Sequence, residues 1–278
     1  MTTPLPSPAL RPDCANCFAL CCTAFGFSRS ADFAVDKPPA TPCANLADDF
    51  SCTIHASLPA RGFRGCTVFD CFGAGQAVSQ QLFDGVSWRA NPSSRTEMFA
   101  AFGIVRQLHE MLWHLDEAGR RTFDPDLAAD AYNLSHTISA VTRGAVRDLL
   151  TFDVGALHVR VRNLLMEVSE EVRAGFAATG SRHRGSGLHA GADLVGRTFR
   201  GQRLCGADLR SALLIGADLR DCELSGADLL GADLRDARLD GARLERALYL
   251  TQPQVNAAAG DAATTLPDRL AAPAHWFR

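Results

Sequence analysis

Residues 204–248 read LCGADLRSALLIGADLRDCELSGADLLGADLRDARLDGARLERAL, and one residue class returns at every fifth position. Followed outward, that register is Leu194, Phe199, Leu204, Leu209, Leu214, Leu219, Leu224, Leu229, Leu234, Leu239, Leu244 and Tyr249, twelve consecutive units. Two residues earlier in each unit a second register holds only small side chains, nine in a row from Ala207 to Ala247 with Cys222 among them. A period of five suits no ordinary element. On a helix, five residues at about 100° each leave successive leucines about 140° apart, and on a strand an odd period sends them to opposite faces. The chain must turn at every unit. If each unit forms one side of a coil, the leucines share an axis and stacked coils bury a continuous core.

The recurring Gly-Ala-Asp-Leu, at Gly206 to Leu209, Gly216 to Leu219, Gly226 to Leu229 and Gly231 to Leu234, resembles the A(D/N)LXX signature of pentapeptide-repeat proteins. In that family four units close one square coil. The resemblance implies a right-handed quadrilateral β-helix over residues 188–250, three coils and about 14 Å long at roughly 4.8 Å per coil. Arg197 and Gln202 stand where the first units need a small inward residue. Because a buried unpaired Arg is costly, the first coil is expected to be irregular and to abut another domain. Residues 251–278 are expected to cap the open end, with a short helix over Thr251 to Ala259 and an irregular tail holding Pro267, Pro273 and Trp276.

Eight of the ten cysteines fall between Cys14 and Cys71: Cys14-x2-Cys17-x3-Cys21-Cys22, then Cys43, Cys52, Cys66 and Cys71, with His55 three residues after Cys52. Thiolates bind soft or borderline cations, and eight match two tetrahedral sites. Two other readings stay open: inert core cysteines, and a low-pKa redox pair at Cys14 and Cys17. The stretch also resembles the CxxCxxCC family, described as zinc- or iron-chelating. The likeness lies in the leading cluster, in Pro42-Cys43-Ala44-Asn45-Leu46, in Cys52-Thr53-Ile54-His55 and in the closing Cys66 and Cys71. One departure is that Phe18, Ala19 and Leu20 separate Cys17 from the pair, three residues where that family has two. The resemblance implies a metal held by Cys14, Cys17, Cys21, Cys22, Cys43, Cys52, Cys66 and Cys71, zinc first and an iron-sulfur cluster as the alternative. Adjacent Cys21 and Cys22 diverge, so the pair can serve two metals or leave one thiol a spectator. A structural zinc would explain how residues 1–75 hold together without clear periodicity. Cys205 and Cys222, inside the repeat, are expected to be packing residues.

Between residues 76 and 180 the spacing becomes helical. Ser94 to Glu97 fits a capping box, followed by Met98, Phe102, Val105, Leu108, Leu112 and Leu115. Asp124 before Pro125 starts a second helix, with Gly144 as its stop, and a third runs from Asp153 to Gly175. His109, His114, His136 and His158 match no metal motif and are expected to be surface or hydrogen-bonded core residues. The polar stretch Gly180 to Gly187 is expected to link the helices to the solenoid.

The 28 basic and 31 acidic residues are spread evenly, 11 and 10 of them within residues 181–250, which argues against nucleic acid as a partner and against a sustained negative surface that copies DNA. Lys37 is the only lysine, a bias of GC-rich bacterial coding. The first thirteen residues carry four prolines and no apolar h-region, and no window approaches about 18 apolar residues, so a cytoplasmic protein without a membrane span is expected. No G-x-S-x-G, P-loop or dinucleotide fingerprint occurs; absence of a motif does not exclude an enzyme, and the repeat resemblance implies binding rather than catalysis. The fold class expected is α+β multidomain: residues 1–75 metal-binding, 76–180 helical, 188–250 solenoid, 251–278 cap. The leading functional expectation is a bacterial adaptor or scaffold that docks another protein. One alternative is a metal- or redox-active protein, and a third comes from repeat-family relatives that bind topoisomerase as DNA mimics.

Overall fold

One backbone position in every five forces the solenoid to turn. Gly196, Gly201, Gly206, Gly216, Gly226, Gly231 and Gly241 have φ between 63° and 69°, while Ser211, Asp221 and Asp236 fill the equivalent corners at 54° to 58°. Left-handed φ is free for Gly and tolerated by Asp, which explains why Gly or Asp precedes seven of the nine small residues, Ser211 and Arg246 preceding the other two. At each corner a turn bond closes from the small residue to the preceding leucine, as from Ala207 N–H to Leu204 C=O (3.1 Å). Parallel bridges then join Asp193 to Leu213, Thr198 to Asp218, Arg203 to Glu223 and Asp208 to Asp228, residues twenty positions apart, so four units make one coil.

In this computed structural model the described residues are 10–178 and 187–277, and the linker expected at Gly180 to Gly187 lies outside them except for Gly187. The chain divides into two compact units, one ending at Leu165 and the other starting at Met166.

In the first unit, short helices α1 (Leu20–Ala24), α2 (Arg64–Thr67) and α3 (Ala74–Gln76) punctuate an irregular, cysteine-rich segment. The helices α4 (Arg95–Arg121), α5 (Pro125–Thr142), α6 (Val146–Thr151) and α7 (Val154–Ala178) follow. Helix α4 is buried on most sides, with Met98, Ala101, Phe102, Val105 and Leu108 fully enclosed. Phe102 meets Phe25 at 5.2 Å between ring centroids, Phe99 meets Trp88 at 5.9 Å, and His109 Nδ1 bonds Phe72 C=O at 2.7 Å, so α4 is the wall on which the cysteine-rich segment rests. Asp124 caps α5 as expected, accepting from Asp126 and Leu127 N–H. Ser94 does not cap α4. It lies in right-handed helical backbone after a 3-10 turn, and its hydroxyl donates instead to Asn91 C=O (2.8 Å). Helix α7 also runs past Gly175 to Ala178, and α6 was not expected. His109 and His114 are buried, His136 and His158 exposed.

In the second unit, every leucine of the register from Leu194 to Leu244 is at most 1% exposed, and Ala207, Ala212, Ala217, Cys222 and Ala227 are fully buried. Among the described residues no continuous strand forms; each side contributes one bridging residue between turns, so the β character expected of this region is carried by isolated bridges. The first coil is regular rather than irregular. Arg197 and Gln202 are exposed, because a terminal coil has a neighbour on one side only, and the Arg197 guanidinium lies 5.7 Å from the Phe199 ring centroid. Helix α8 (Gln252–Ala257) opens on a capping box formed by Thr251 and Gln254. Past it, Ala259 and Thr265 pair with Arg238 and Arg243, extending the ladder, and Trp276 donates to Ala258 C=O (2.9 Å) over Gly260. The open edge is thereby covered.

The C-terminal part of α7 packs within this second unit. Ser169, Arg173 and Phe176 share one helix face by their spacing. Ser169 Oγ donates to Asp228 (2.5 Å), Arg173 donates to Gly206 C=O (3.1 Å) and pairs with Asp208 (3.3 Å), and Phe176 covers Gly206 and Gly226.

Candidate metal centre

Backbone geometry brings the cysteine-bearing segments together before any side chain is considered. Cys14 opens a 3-10 turn capped by Asp13, and Ala19, at φ 53°, reverses the chain so that Cys21 and Cys22 stand on α1. The three-residue spacer between Cys17 and Cys21 thus contains a left-handed bend. Cys43 N–H donates to Cys22 C=O (3.0 Å), Leu46 bridges Cys52 in antiparallel fashion, and Thr53 N–H donates to Asn45 C=O (2.9 Å). These bonds hold the Cys22, Cys43 and Cys52 segments side by side. Phe72, at φ 49°, bends the chain after Cys71 into the Gly73 and Ala74 turn, where Ala74 N–H returns to Cys71 C=O (2.9 Å).

Cys14, Cys17, Cys21 and Cys71 line one small pocket with Asp13, Gly75, Gln76 and Phe102. Gly75 must lack a side chain there, since a Cβ would sit 2.7 Å from Cys17 Sγ and 3.8 Å from Cys71 Sγ. Among the described residues no cysteine is in a disulfide; Cys14 and Cys66 keep an open edge, and the other six of the cluster are half-buried. Burial, with the neighbouring Cys71 and Cys14 adding to it, pushes the Cys17 thiol up to about 11. Burial raises Cys71 as well, with Asp70 and Cys14 adding to it. Cys66 is pushed up to about 11 by burial and then by the charges of Cys22, Cys43 and Cys52. Cys52 is raised by burial and by Cys22 and Cys43. The Cys21 and Cys22 sulfurs touch at 3.9 Å. Cys21 is held well above its ordinary range by that contact, whereas the bond it donates, followed by the Lys37 charge, brings Cys22 down to about 7.

Lys37 went unnoticed in the sequence as a site residue, although its being the sole lysine was a signal. It is 7% exposed and its ammonium donates to three carbonyls: Thr23 (3.3 Å), Pro38 (3.3 Å) and Thr41 (2.7 Å). Thr23 follows Cys22 and Thr41 precedes Cys43 by two, so one cation ties both segments. His55 is exposed.

Tested against a thiolate-bound metal, the donor set fits by type and neighbourhood: soft sulfur donors around a glycine-lined pocket, with a buried cation nearby. Among the described residues no three ligand side chains already converge at ion-binding distance. Binding would require thiols to lose protons and swing inward.

Fold and sequence together define a pentapeptide-repeat protein preceded by a thiol-rich, helical unit. The family model for pentapeptide repeats matches residues 190–221 and 212–248. Along nearly its whole length the chain belongs to the family of YybG, the "Uncharacterized protein YybG" of Bacillus subtilis (strain 168), to which it is 48% identical over 269 residues, 96% of this chain and 95% of that one. Among solved structures, a pentapeptide repeat protein from the Arabidopsis thaliana thylakoid lumen is 28% identical over 28% of this chain and 57% of its own length, with a TM-score of 0.14. Among the described residues no helix is long and apolar enough to cross a membrane.

Proposed function

We propose that this protein is an adaptor or scaffold: a thiolate-bound metal holds the N-terminal unit together, and the solenoid offers a regular outer surface to a partner protein. The observation that carries this reading is the division of labour along the chain. Eight cysteines lie in one irregular segment, while the repeat interior is filled mainly by leucine and alanine, which leaves the solenoid its exterior for recognition. Away from α7 that exterior bears Asp and Arg in fork-like pairs, Asp218 with Arg220 (2.5 Å) and Asp233 with Arg235 (2.6 Å). Paired charges of both signs suit a protein surface better than they copy the phosphates of DNA. When bound, a zinc ion supplies a cross-link among thiolates and no redox chemistry. The free thiols support a reducing, cytoplasmic setting.

A second reading makes the cysteine cluster the active centre. It is favoured by Cys22, whose thiol at about 7 beside the Cys21 sulfur is poised to react. Elemental analysis with an absorption spectrum, on protein purified without air, separates the two. About two zinc ions per chain and no colour support the adaptor reading. Iron with acid-labile sulfide puts a redox role first, and a metal-free protein removes the metal from both.

A further inference from the structure

We propose that the eight cysteines form two separate four-thiolate sites for divalent ions of the zinc type, Cys14, Cys17, Cys21 and Cys71 in one and Cys22, Cys43, Cys52 and Cys66 in the other, divided at the Cys21–Cys22 peptide bond. This partition rests on the metal reading above and goes beyond it by assigning each ligand.

The first group is defined by a shared cavity: its four cysteines line the pocket beside Gly75 and Phe102, and none of the second group does. Gly75 brings the backbone against Cys17 and Cys71 together, fixing the segments before and after the long insertion to one point. The second group is defined by backbone pairing. Cys43 bonds the Cys22 carbonyl, and the Leu46 to Cys52 bridge brings Cys52 back alongside. Cys66 completes the second group as the remaining thiol of the eight, since it does not line the pocket of the first.

Successive residues of a helix point about 100° apart, so adjacent Cys21 and Cys22 can feed opposite sites. Cys21 lines the pocket of the first group and Cys22 does not, which places the seam between the two centres at this pair. The surroundings differ as well. A four-thiolate zinc site carries a net negative charge, and beside the second site stands buried Lys37, bonded to the chain on both the Cys22 and the Cys43 side. The first site instead has the acidic Asp13 in its pocket wall, and Asp70 precedes its ligand Cys71 in the chain. The second site is therefore the tighter of the two.

The test is cadmium-113 NMR on the full chain loaded with cadmium, with metal stoichiometry measured in parallel. The unmodified protein is expected to show two resonances, both in the four-sulfur range. Cys17→Ser and Cys21→Ser should each remove the same resonance, Cys22→Ser and Cys43→Ser the other, each variant keeping one ion. Lys37→Met should weaken the second site alone, by roughly 10- to 100-fold, as loss of an outer-shell partner does. A single resonance in the unmodified protein, shifts indicating fewer than four sulfurs, or Cys21→Ser and Cys22→Ser removing the same resonance would each overturn the partition while metal binding itself stands. The unmodified-protein spectrum decides the matter even where a variant does not fold. No bound cadmium or zinc in the unmodified protein would instead defeat the metal reading on which the partition rests.

Discussion

Asp228 should make the second unit less stable as the pH rises, and the effect can be isolated with one isosteric change. The carboxyl is fully buried, accepts from Ser169 Oγ (2.5 Å) and Leu230 N–H (2.9 Å), and has Arg210 Nε at 3.6 Å. The other charges in this corner are Asp208, which already shares Arg210 and Arg173, and Glu170 near Arg210. Burial outweighs the bonds that favour the ionised form and pushes Asp228 up to about 6. An aspartate in an unfolded chain titrates near 3.9. The folded state therefore holds the proton more tightly, so stability contributed by protonated Asp228 is present at low pH and lost as pH rises through about 4 to 6. At about 1.36 kcal/mol per unit the full effect is about 3 kcal/mol, of which about 2 kcal/mol falls between roughly pH 4.5 and 7.5.

Asp228→Asn keeps the shape, lets the amide oxygen accept from Leu230 and the amide nitrogen donate to Ser169, and cannot ionise. Urea unfolding of both proteins across that pH range cancels every other titration. The variant should gain about 2 kcal/mol on the parent protein from the acidic to the neutral end. A difference that stays flat would refute the argument. A difference of the opposite sign would mean that Arg210 and Ser169 stabilise the carboxylate more than burial penalises it.

Gly226 and Gly216 share a left-handed corner, at φ 67° and 63°, but a Cβ on Gly226 would lie 2.0 Å from the Phe176 ring whereas one on Gly216 meets nothing within 4 Å. Gly216→Ala should cost about 1 kcal/mol from backbone alone, and Gly226→Ala about 1–3 kcal/mol more from overpacking; equal losses in urea unfolding would show that Phe176 yields freely. Leu219→Ala, at a position 1% exposed in the stack, should lower stability by about 2–5 kcal/mol in the same assay. Chelation should make residues 10–75 protease-sensitive before residues 187–277, and an unchanged digestion pattern would argue that no metal braces the first unit.

The solenoid was legible because its signal is redundant. A period of five over twelve units excludes helix and strand at once, and the Gly or Asp at most corners states the left-handed turn directly. The cysteine cluster was legible as a set, since spacing alone gathers thiols in sequence. Its internal sorting was not, because which sulfur meets which depends on the Ala19 and Phe72 bends and on the Cys43-to-Cys22 bond, none of which a cysteine pattern encodes. Ser94 shows the same limit at a helix end: the capping-box letters were present, yet a preceding 3-10 turn had already fixed its backbone.

The four copies of Gly-Ala-Asp-Leu show where repeat reading stops. Identical letters give carboxyls with opposite behaviour: hydrogen bonding to Arg220 brings Asp218 down to about 2 and a bond to Arg235 lowers Asp233, while Asp228 rises to about 6 because burial dominates. Two things separate them. Residue 230 is Leu where Arg210, Arg220 and Arg235 stand in the other copies, so Asp228 lacks the fork partner two residues on, and Ser169 of α7 closes over the carboxyl instead. The Leu was visible in the sequence; the helix that covers it was not. The missing arginine is what that packing requires, since a guanidinium at position 230 would compete with Ser169 for the buried oxygen. The departure from consensus at residue 230 thus marks a carboxyl closed off from water, whereas Asp208, which also lies beneath α7 beside Arg173, keeps its Arg210 partner and stays ionised.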